Sequence, residues 1–177
     1  MIYIDLLMIS IFWIVVILYV LSLCNQIIYK VPHVSTFNSD LHIIKEVFSK
    51  YISIWNKVAD LWSGTWKIVR LLEKDFWAKV TWYEIDLSNV LISKIVNTFK
   101  KYDAKIVKWN YLKTDLKNYD VLYIYLFPCL MEKVEERIFS HCTKWTIVIV
   151  NAFPLKNEKP IDVFLKNWKE KIFVYRV

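Results

Sequence analysis

Two acidic residues and one short loop carry the strongest chemical signal in this sequence. Asp60 ends an apolar run that begins at Val58, and the loop that follows, W-S-G-T-W at 62–66, contains Gly64, the only glycine of the chain. Glu84 ends the next apolar run, about 20 residues further on. A loop between a strand and a helix gathers unpaired backbone N–H groups that bind an anionic group. An acid at the end of the following strand holds the hydroxyls of a ribose. The spacing therefore predicts a site for a nucleoside-containing cofactor.

Strand-like and helix-like patterns alternate along the chain from residue 57. This alternation is typical of a parallel sheet with right-handed crossovers. We predict strands at 57–61, 79–85, 104–108, 121–126 and 146–151, and helices at 67–76, 88–101 and 130–139. Two short strands at 161–165 and 171–176 would form a hairpin. The predicted fold class is α/β, with a Rossmann-like, mostly parallel sheet that ends in an antiparallel C-terminal hairpin.

The N-terminal segment has the composition of a membrane anchor. Residues 6–24 contain no charged side chain, and a helix of that length crosses a hydrocarbon core of about 30 Å. A cleavable signal peptide is disfavoured because no Lys or Arg precedes the apolar run and no A-x-A site follows it. Lys30, Lys45 and Lys50 follow the segment, so the positive-inside rule predicts a single-pass membrane protein with its domain in the cytoplasm. We divide the chain into an anchor (1–30), a linker with a packing helix at 41–51 (31–56) and a domain (57–177).

Three stretches resemble the motifs of class I, seven-strand S-adenosylmethionine-dependent methyltransferases. D-L-W-S-G-T-W-K-I-V at 60–69 is similar to that superfamily's D-L-G-S-G-D-G-R-I-V, and Y-E-I-D at 83–86 is similar to G-Y-E-I-[DN]. V-P-H-V-S-T at 31–36 resembles the V-P-[YF]-V-P-T segment of the membrane-anchored protein-lysine methyltransferases, which include the ATP synthase c-subunit lysine methyltransferase family. The resemblance covers roughly residues 31–177. It implies a class I methyltransferase fold.

The resemblance also implies a cofactor, S-adenosyl-L-methionine, and the residues that bind it. Asp60 and the loop would hold the methionine part, Glu84 the ribose, and Asn110 the adenine amino group, because its carbonyl oxygen can replace the family's acid. The implied set is Asp60, Trp62, Ser63, Gly64, Trp66, Glu84, Ile85, Asn110, Tyr111 and Tyr125. A structural explanation stays open for two of these residues: Asp60 could be a helix-capping or strand-end carboxylate, and Asn110 could be a turn residue.

The substrate side of the implied site follows the fourth strand. Y-I-Y-L-F-P at 123–128 resembles the family's Y-L-L-P, which lies where substrate enters, and N-A-F-P at 151–154 resembles the end of its fifth strand. Tyr125 and Pro128 are therefore the predicted catalytic residues. A lysine head group buried between them would lose solvation, which lowers its pKa and frees the lone pair for methyl transfer. A buried aromatic strand end is the alternative explanation.

The glycine and tryptophan counts are abnormal. The chain has one Gly and nine Trp, whereas average usage of about 7% would give roughly 12 Gly. Six tryptophans fall where the family has glycine: Trp62, Trp66, Trp77, Trp82, Trp109 and Trp145. Asn167-Trp168 lies at a hairpin turn that Asn-Gly would suit. One hypothesis is that UGA codons for glycine were translated as tryptophan. If Trp62 and Trp66 are genuine, the chain would instead be a catalytically inactive, membrane-tethered binding module.

Composition limits the remaining functions. A net charge of +7, spread along the chain, is typical of a solvated surface, and makes a nucleic-acid methyltransferase the weaker alternative. The three Cys and three His are scattered, so we predict no metal site. The predicted function is N-methylation of a lysine in a membrane-associated protein, with the membrane contacted through residues 6–24.

Overall fold

A computed structural model describes residues 2–29, 41–61, 67–108, 114–165 and 171–177. The described helices are α1 (Ile2–Tyr29), α2 (Leu41–Tyr51), α3 (Lys67–Phe76), α4 (Leu87–Lys100) and α5 (Pro128–His141). The described strands are β1 (Lys57–Asp60), β2 (Lys79–Glu84), β3 (Lys105–Lys108), β4 (Val121–Ile124), β5 (Ile147–Asn151), β6 (Asp162–Leu165) and β7 (Lys171–Arg176).

The seven strands form one sheet in the order β3-β2-β1-β4-β5-β7-β6. Strands β1 to β5 are parallel, and β7 runs antiparallel between β5 and β6. Both the parallel sheet and the antiparallel C-terminal hairpin were predicted, and both are confirmed. The order reverses at β1, because β2 lies on one side of it and β4 on the other. Ligands of open α/β sheets bind beside such a reversal, beyond the carboxyl ends of the strands.

Each face of the sheet is covered by helices and has its own apolar core. On one face, α2 and α3 pack against strand residues that include Val58, Val80 and Tyr123. On the other face, α5 packs through Met131, Val134 and Ile138. Burial on both faces explains the near-continuous apolar sequence of the central strands, since a strand covered on two sides has no polar face.

Some element boundaries differ from the predicted ones. Strand β4 ends at Ile124, so Tyr125 lies beyond the strand, and α5 begins at Pro128 instead of residue 130. Proline suits the first turn of a helix, where its missing N–H has no partner to lose. Helix α4 begins after Asp86, whose side chain accepts hydrogen bonds from the backbone N–H and the hydroxyl of Ser88 at 2.8 and 2.6 Å. This is the N-cap arrangement that starts many helices.

Helix α1 is the one element of the described chain that meets the length and hydropathy of a membrane span. The span covers Ile4–Leu21, none of it buried, and α1 contacts the domain at α4. A signal sequence near an N-terminus passes the same test.

Candidate functional site

The site lies where β1, β2, β4 and β5 end, at the edge of the sheet that we call the carboxyl edge. Parallel pairing places Asp60 beside Tyr123, and Ile124 beside Val150. Glu84 ends β2 and Asn151 ends β5. Three polar side chains at this edge are almost completely buried: Asp60 and Asn151 are 0% exposed and Glu84 is 2% exposed. Buried polar groups at the ends of parallel strands are typical of a ligand site.

Glu84 is held in place by the segment that starts α4. Its Oε1 accepts a hydrogen bond of 2.8 Å from the backbone N–H of Asp86, and its Oε2 accepts one of 3.4 Å from the side-chain amide of Asn89. Burial raises the pKa of Glu84 from 4.5 to about 7, and the bond from Asp86 opposes that rise. A carboxylate has about four lone-pair positions. The backbone N–H of Ile85 also forms a hydrogen bond with this carboxylate. Glu84 therefore keeps acceptor capacity for about one further donor, such as a ribose hydroxyl.

A buried hydrogen bond between two side chains, those of Asn151 and Tyr123, joins β5 to β4. The side-chain amide of Asn151 donates to the hydroxyl of Tyr123 at 3.0 Å. Burial, and then the neighbouring charge of Asp60, raise the pKa of Tyr123, so this hydroxyl stays neutral. The Oδ1 of Asn151 is buried and has no hydrogen-bond partner among the described residues. An acceptor left in this state costs free energy unless a ligand or water supplies a donor.

The segment between β4 and α5 forms the rim of this edge. Tyr125 is half-buried and packs against the core that α2 and α3 cover. Phe127 is half-buried and occupies the N-cap of α5 without a side-chain capping bond, while Pro128 is exposed. The two predicted catalytic residues, Tyr125 and Pro128, thus lie on the stretch that leaves the carboxyl edge.

The structure describes part of the predicted cofactor set. It places Asp60, Glu84, Ile85 and Tyr125 at the ends of β1, β2 and β4, as expected from the strand pattern. The other predicted residues lie outside the described part of the chain: Trp62, Ser63, Gly64, Trp66, Asn110 and Tyr111. Their predicted roles at the loop and the adenine therefore stay predictions.

Two residues that sequence reasoning left out shape the site. Tyr123 was predicted as part of the fourth strand and of the motif at 123–128, without a role of its own, yet its hydroxyl joins Asn151 beside Asp60. Glu135 of α5 is 3% exposed and accepts hydrogen bonds from the backbone N–H groups of Lys156 and Asn157 at 3.0 and 2.8 Å. It fixes the loop that follows β5. The helical spacing of Glu135 places it on the buried face with Met131 and Ile138, which was the available signal.

The chain has the fold of class I methyltransferases. It is similar to an RNA methyltransferase from Salinibacter ruber solved with S-adenosyl-L-homocysteine, at 16% identity and a TM-score of 0.72 over 81% of this chain and 93% of that one. It is also similar to a variant of the protein MtNAS solved with S-adenosylmethionine, at 16% identity and a TM-score of 0.64 over 77% of this chain and 61% of that one. A third similar structure is that of yhhF from Escherichia coli, described as a candidate methyltransferase, at 13% identity and a TM-score of 0.65 over 79% and 88%.

No protein-family model and no curated protein sequence matches the chain. The likeness to solved structures, at these identities, concerns the fold.

Proposed function

We propose that the chain is an S-adenosylmethionine-dependent methyltransferase. The observation that carries this proposal is the buried Glu84 at the end of β2, one strand from the reversal at β1, on a sheet of the class I methyltransferase order. A carboxyl group buried without a cation costs free energy, which raises its pKa. A ribose hydroxyl that donates a hydrogen bond to the carboxylate would offset part of that cost.

The residues of the carboxyl edge fit the rest of such a cofactor. S-adenosylmethionine, when bound, supplies an electrophilic methyl group. Asp60 is a fully buried acid at the end of β1, so it would attract the ammonium of the methionine part. Ile85 is half-buried directly after Glu84, where its side chain would contact the nucleoside. The predicted loop 62–66 and residues Asn110 and Tyr111 would complete the site.

We propose an amine, the side chain of a protein lysine, as the methyl acceptor. Tyr125 and Phe127 offer half-buried aromatic surface beside the carboxyl edge, and an amine buried there loses solvation, which favours its neutral, nucleophilic form. The Oδ1 of Asn151 is a buried acceptor without a partner in the described chain. It would accept an N–H of the incoming amine and thereby orient the lone pair toward the methyl group.

We propose further that α1 anchors the enzyme in a membrane, with the domain in the cytoplasm. The support is the apolar stretch Ile4–Leu21, of which none is buried. An anchor confines the domain to the surface on which membrane proteins expose their lysines, which raises their effective concentration.

Cofactor binding tests the proposal on the full chain in nanodiscs. Titration calorimetry with S-adenosylmethionine should give saturable binding for the parent chain and at least a tenfold weaker affinity for Glu84→Gln, because an amide offers one acceptor where the carboxylate offers two. Asp120→Asn is the matched control: Asp120 also accepts a backbone N–H, that of Lys57 at 2.7 Å, but at the opposite edge of the sheet. Absence of binding both by the parent chain and by its Trp62→Gly, Trp66→Gly variant would favour the inactive binding module.

A second candidate, methyl transfer to RNA, has two supporting observations. The net charge is +7, and an RNA methyltransferase is among the similar structures. Transfer of a labelled methyl group separates the acceptors: total RNA and membrane extracts are offered in parallel, and label that resists ribonuclease but not protease supports the lysine proposal. Label that ribonuclease releases supports RNA.

A further inference from the structure

Five non-glycine residues of the described chain have a positive φ angle. They are Trp55 (69°), Trp77 (54°), Lys101 (54°), Trp145 (85°) and Ala152 (73°). In this left-handed region the Cβ atom approaches the backbone carbonyl, so glycine adopts it freely and other residues at a cost. A bulky side chain there is an outlier. Three of these five residues are tryptophan.

Three of the five tryptophans that the structure describes have a left-handed backbone. Of the nine tryptophans, the described ones are Trp13, Trp55, Trp77, Trp82 and Trp145. Trp13 is within α1 and Trp82 is within β2, where the backbone is regular. All the described tryptophans outside a helix or a strand therefore have a left-handed backbone. A few per cent of non-glycine residues do so in general, and Asn and Asp dominate among them.

Two of the three tryptophans occupy the same position of a tight turn. The backbone N–H of Asn56 donates to the carbonyl of Ser53 at 3.1 Å, and that of Thr146 donates to the carbonyl of Thr143 at 3.2 Å. Each bond closes a four-residue turn whose third residue is tryptophan, Trp55 in one and Trp145 in the other. Positive φ at the third position is the geometry of a type II turn, where glycine is strongly favoured and asparagine is the main alternative.

The third tryptophan ends a helix. Trp77 follows directly after Phe76, the last residue of α3, and the backbone N–H of Ala78 donates back to the carbonyl of Leu72 at 3.2 Å. A left-handed residue after the last helical one is the common way to end a helix, and glycine is the usual choice. The sequence pattern predicted a glycine-like position here, and the φ angle confirms it.

Packing does not explain these side chains. Trp55 and Trp77 are each 64% exposed, and Trp145 is 74% exposed. Lys79 lies over the ring of Trp55 and Arg176 over that of Trp145, with 5.4 and 5.7 Å from cation to ring centre. Cation–π contacts at exposed sites are weak. Trp82 differs, because it is fully buried in β2 and its extended backbone makes no demand for glycine.

We propose that positions 55, 77 and 145 are glycine in the protein as its own cell makes it, because the gene uses UGA as a glycine codon. Composition points the same way: the chain has one glycine where roughly 12 are expected. The same codon reading would turn W-S-G-T-W at 62–66 into G-S-G-T-G. In the loop predicted at 62–66, glycine would let a ligand approach the backbone closely, and this last step rests on the proposed function.

The coding DNA decides the matter. UGA codons at 55, 77 and 145 are expected, and UGG at any of the three overturns the proposal. Tandem mass spectrometry of the chain isolated from its own cells should give the residue mass of glycine at the same positions, and the mass of tryptophan there overturns it. Cofactor titration of the tryptophan and glycine versions of the chain is scored separately. If the codons are UGG and the tryptophan version binds the cofactor, the recoding proposal is rejected and the methyltransferase proposal stands. If the codons are UGA and the glycine version does not bind, the methyltransferase proposal is rejected and the recoding stands.

Discussion

The side-chain amide of Asn151 donates a hydrogen bond of 3.0 Å to the hydroxyl of Tyr123, and both residues are buried at the ends of adjacent strands. The register of β4 and β5 creates this contact, since Tyr123 pairs with Ile149, two residues before Asn151. The bond fixes the amide plane. Oδ1 has no partner in the described part of the chain, and we assign this acceptor to the N–H of the methyl acceptor.

Tyr123 and Asn151 should be energetically coupled. Tyr123→Phe keeps the ring and removes the hydroxyl, and Asn151→Ala removes the amide. Each change breaks one buried hydrogen bond and is expected to lower the free energy of unfolding by about 1 to 3 kcal/mol. Because both changes break the same bond, the double variant should lose about 1 kcal/mol less than the sum of the two. Urea unfolding of all four chains in detergent measures this cycle. Strict additivity would show that the hydrogen bond contributes nothing.

Glu84 is expected to destabilise the fold at neutral pH. Its folded pKa, about 7, is raised above the usual value of 4.5, so the folded chain holds a proton that the unfolded chain releases. The protonated side chain of Glu84 therefore contributes to the free energy of unfolding fully below pH 4.5, and this contribution is lost as the pH rises through 7. Glu84→Gln stays neutral and should be more stable than the parent chain above that range, by up to about 3 kcal/mol. Thermal unfolding of both chains across the pH range measures this difference in stability. A Glu84→Gln variant that is less stable than the parent chain by the same amount at every pH would contradict the prediction.

The same pKa predicts a pH dependence of cofactor binding. In the proposed complex the ribose would donate a hydrogen bond to Glu84, so the cofactor would bind the carboxylate better than the acid. Below the pKa of about 7, affinity should fall by up to about tenfold per pH unit as the carboxylate is protonated. Calorimetry from about pH 5.5 to 8 follows this change. Glu84→Gln should lose the dependence and Asp120→Asn should retain it. A parent affinity that is constant over this range would remove Glu84 from the site.

The parts of the fold that sequence predicted are those set by local pattern. Helices α2 and α3 begin and end at the predicted residues, because their apolar residues recur at the spacing of one buried helix face. Glu84 was placed correctly for a similar reason, since a buried strand ends where its apolar run meets a charge.

The contacts that sequence missed depend on the assembled sheet. The bond between Tyr123 and Asn151 joins residues 28 positions apart and exists only because β4 pairs with β5 in one register. The start of α5 at Pro128 was missed because F-P was interpreted as a strand end, although proline equally begins helices. Asp86 was predicted only as part of a motif, and its role as the N-cap of α4 needs the position of the helix.

Replacing the left-handed tryptophans tests whether their rings or their backbone matter. The triple variant Trp55→Gly, Trp77→Gly, Trp145→Gly should unfold at a temperature about 5 to 10 °C higher than the chain with tryptophan, because three strained backbone positions relax. The matched triple alanine variant also removes the indoles but keeps the Cβ atoms, so it should show little of this gain. Scanning calorimetry of the three chains under the same conditions makes the comparison. A glycine variant that unfolds at a lower temperature than the tryptophan chain would mean that the exposed rings stabilise the fold. The left-handed backbone at 55, 77 and 145 would then be strained, and the surrounding contacts would hold it in place.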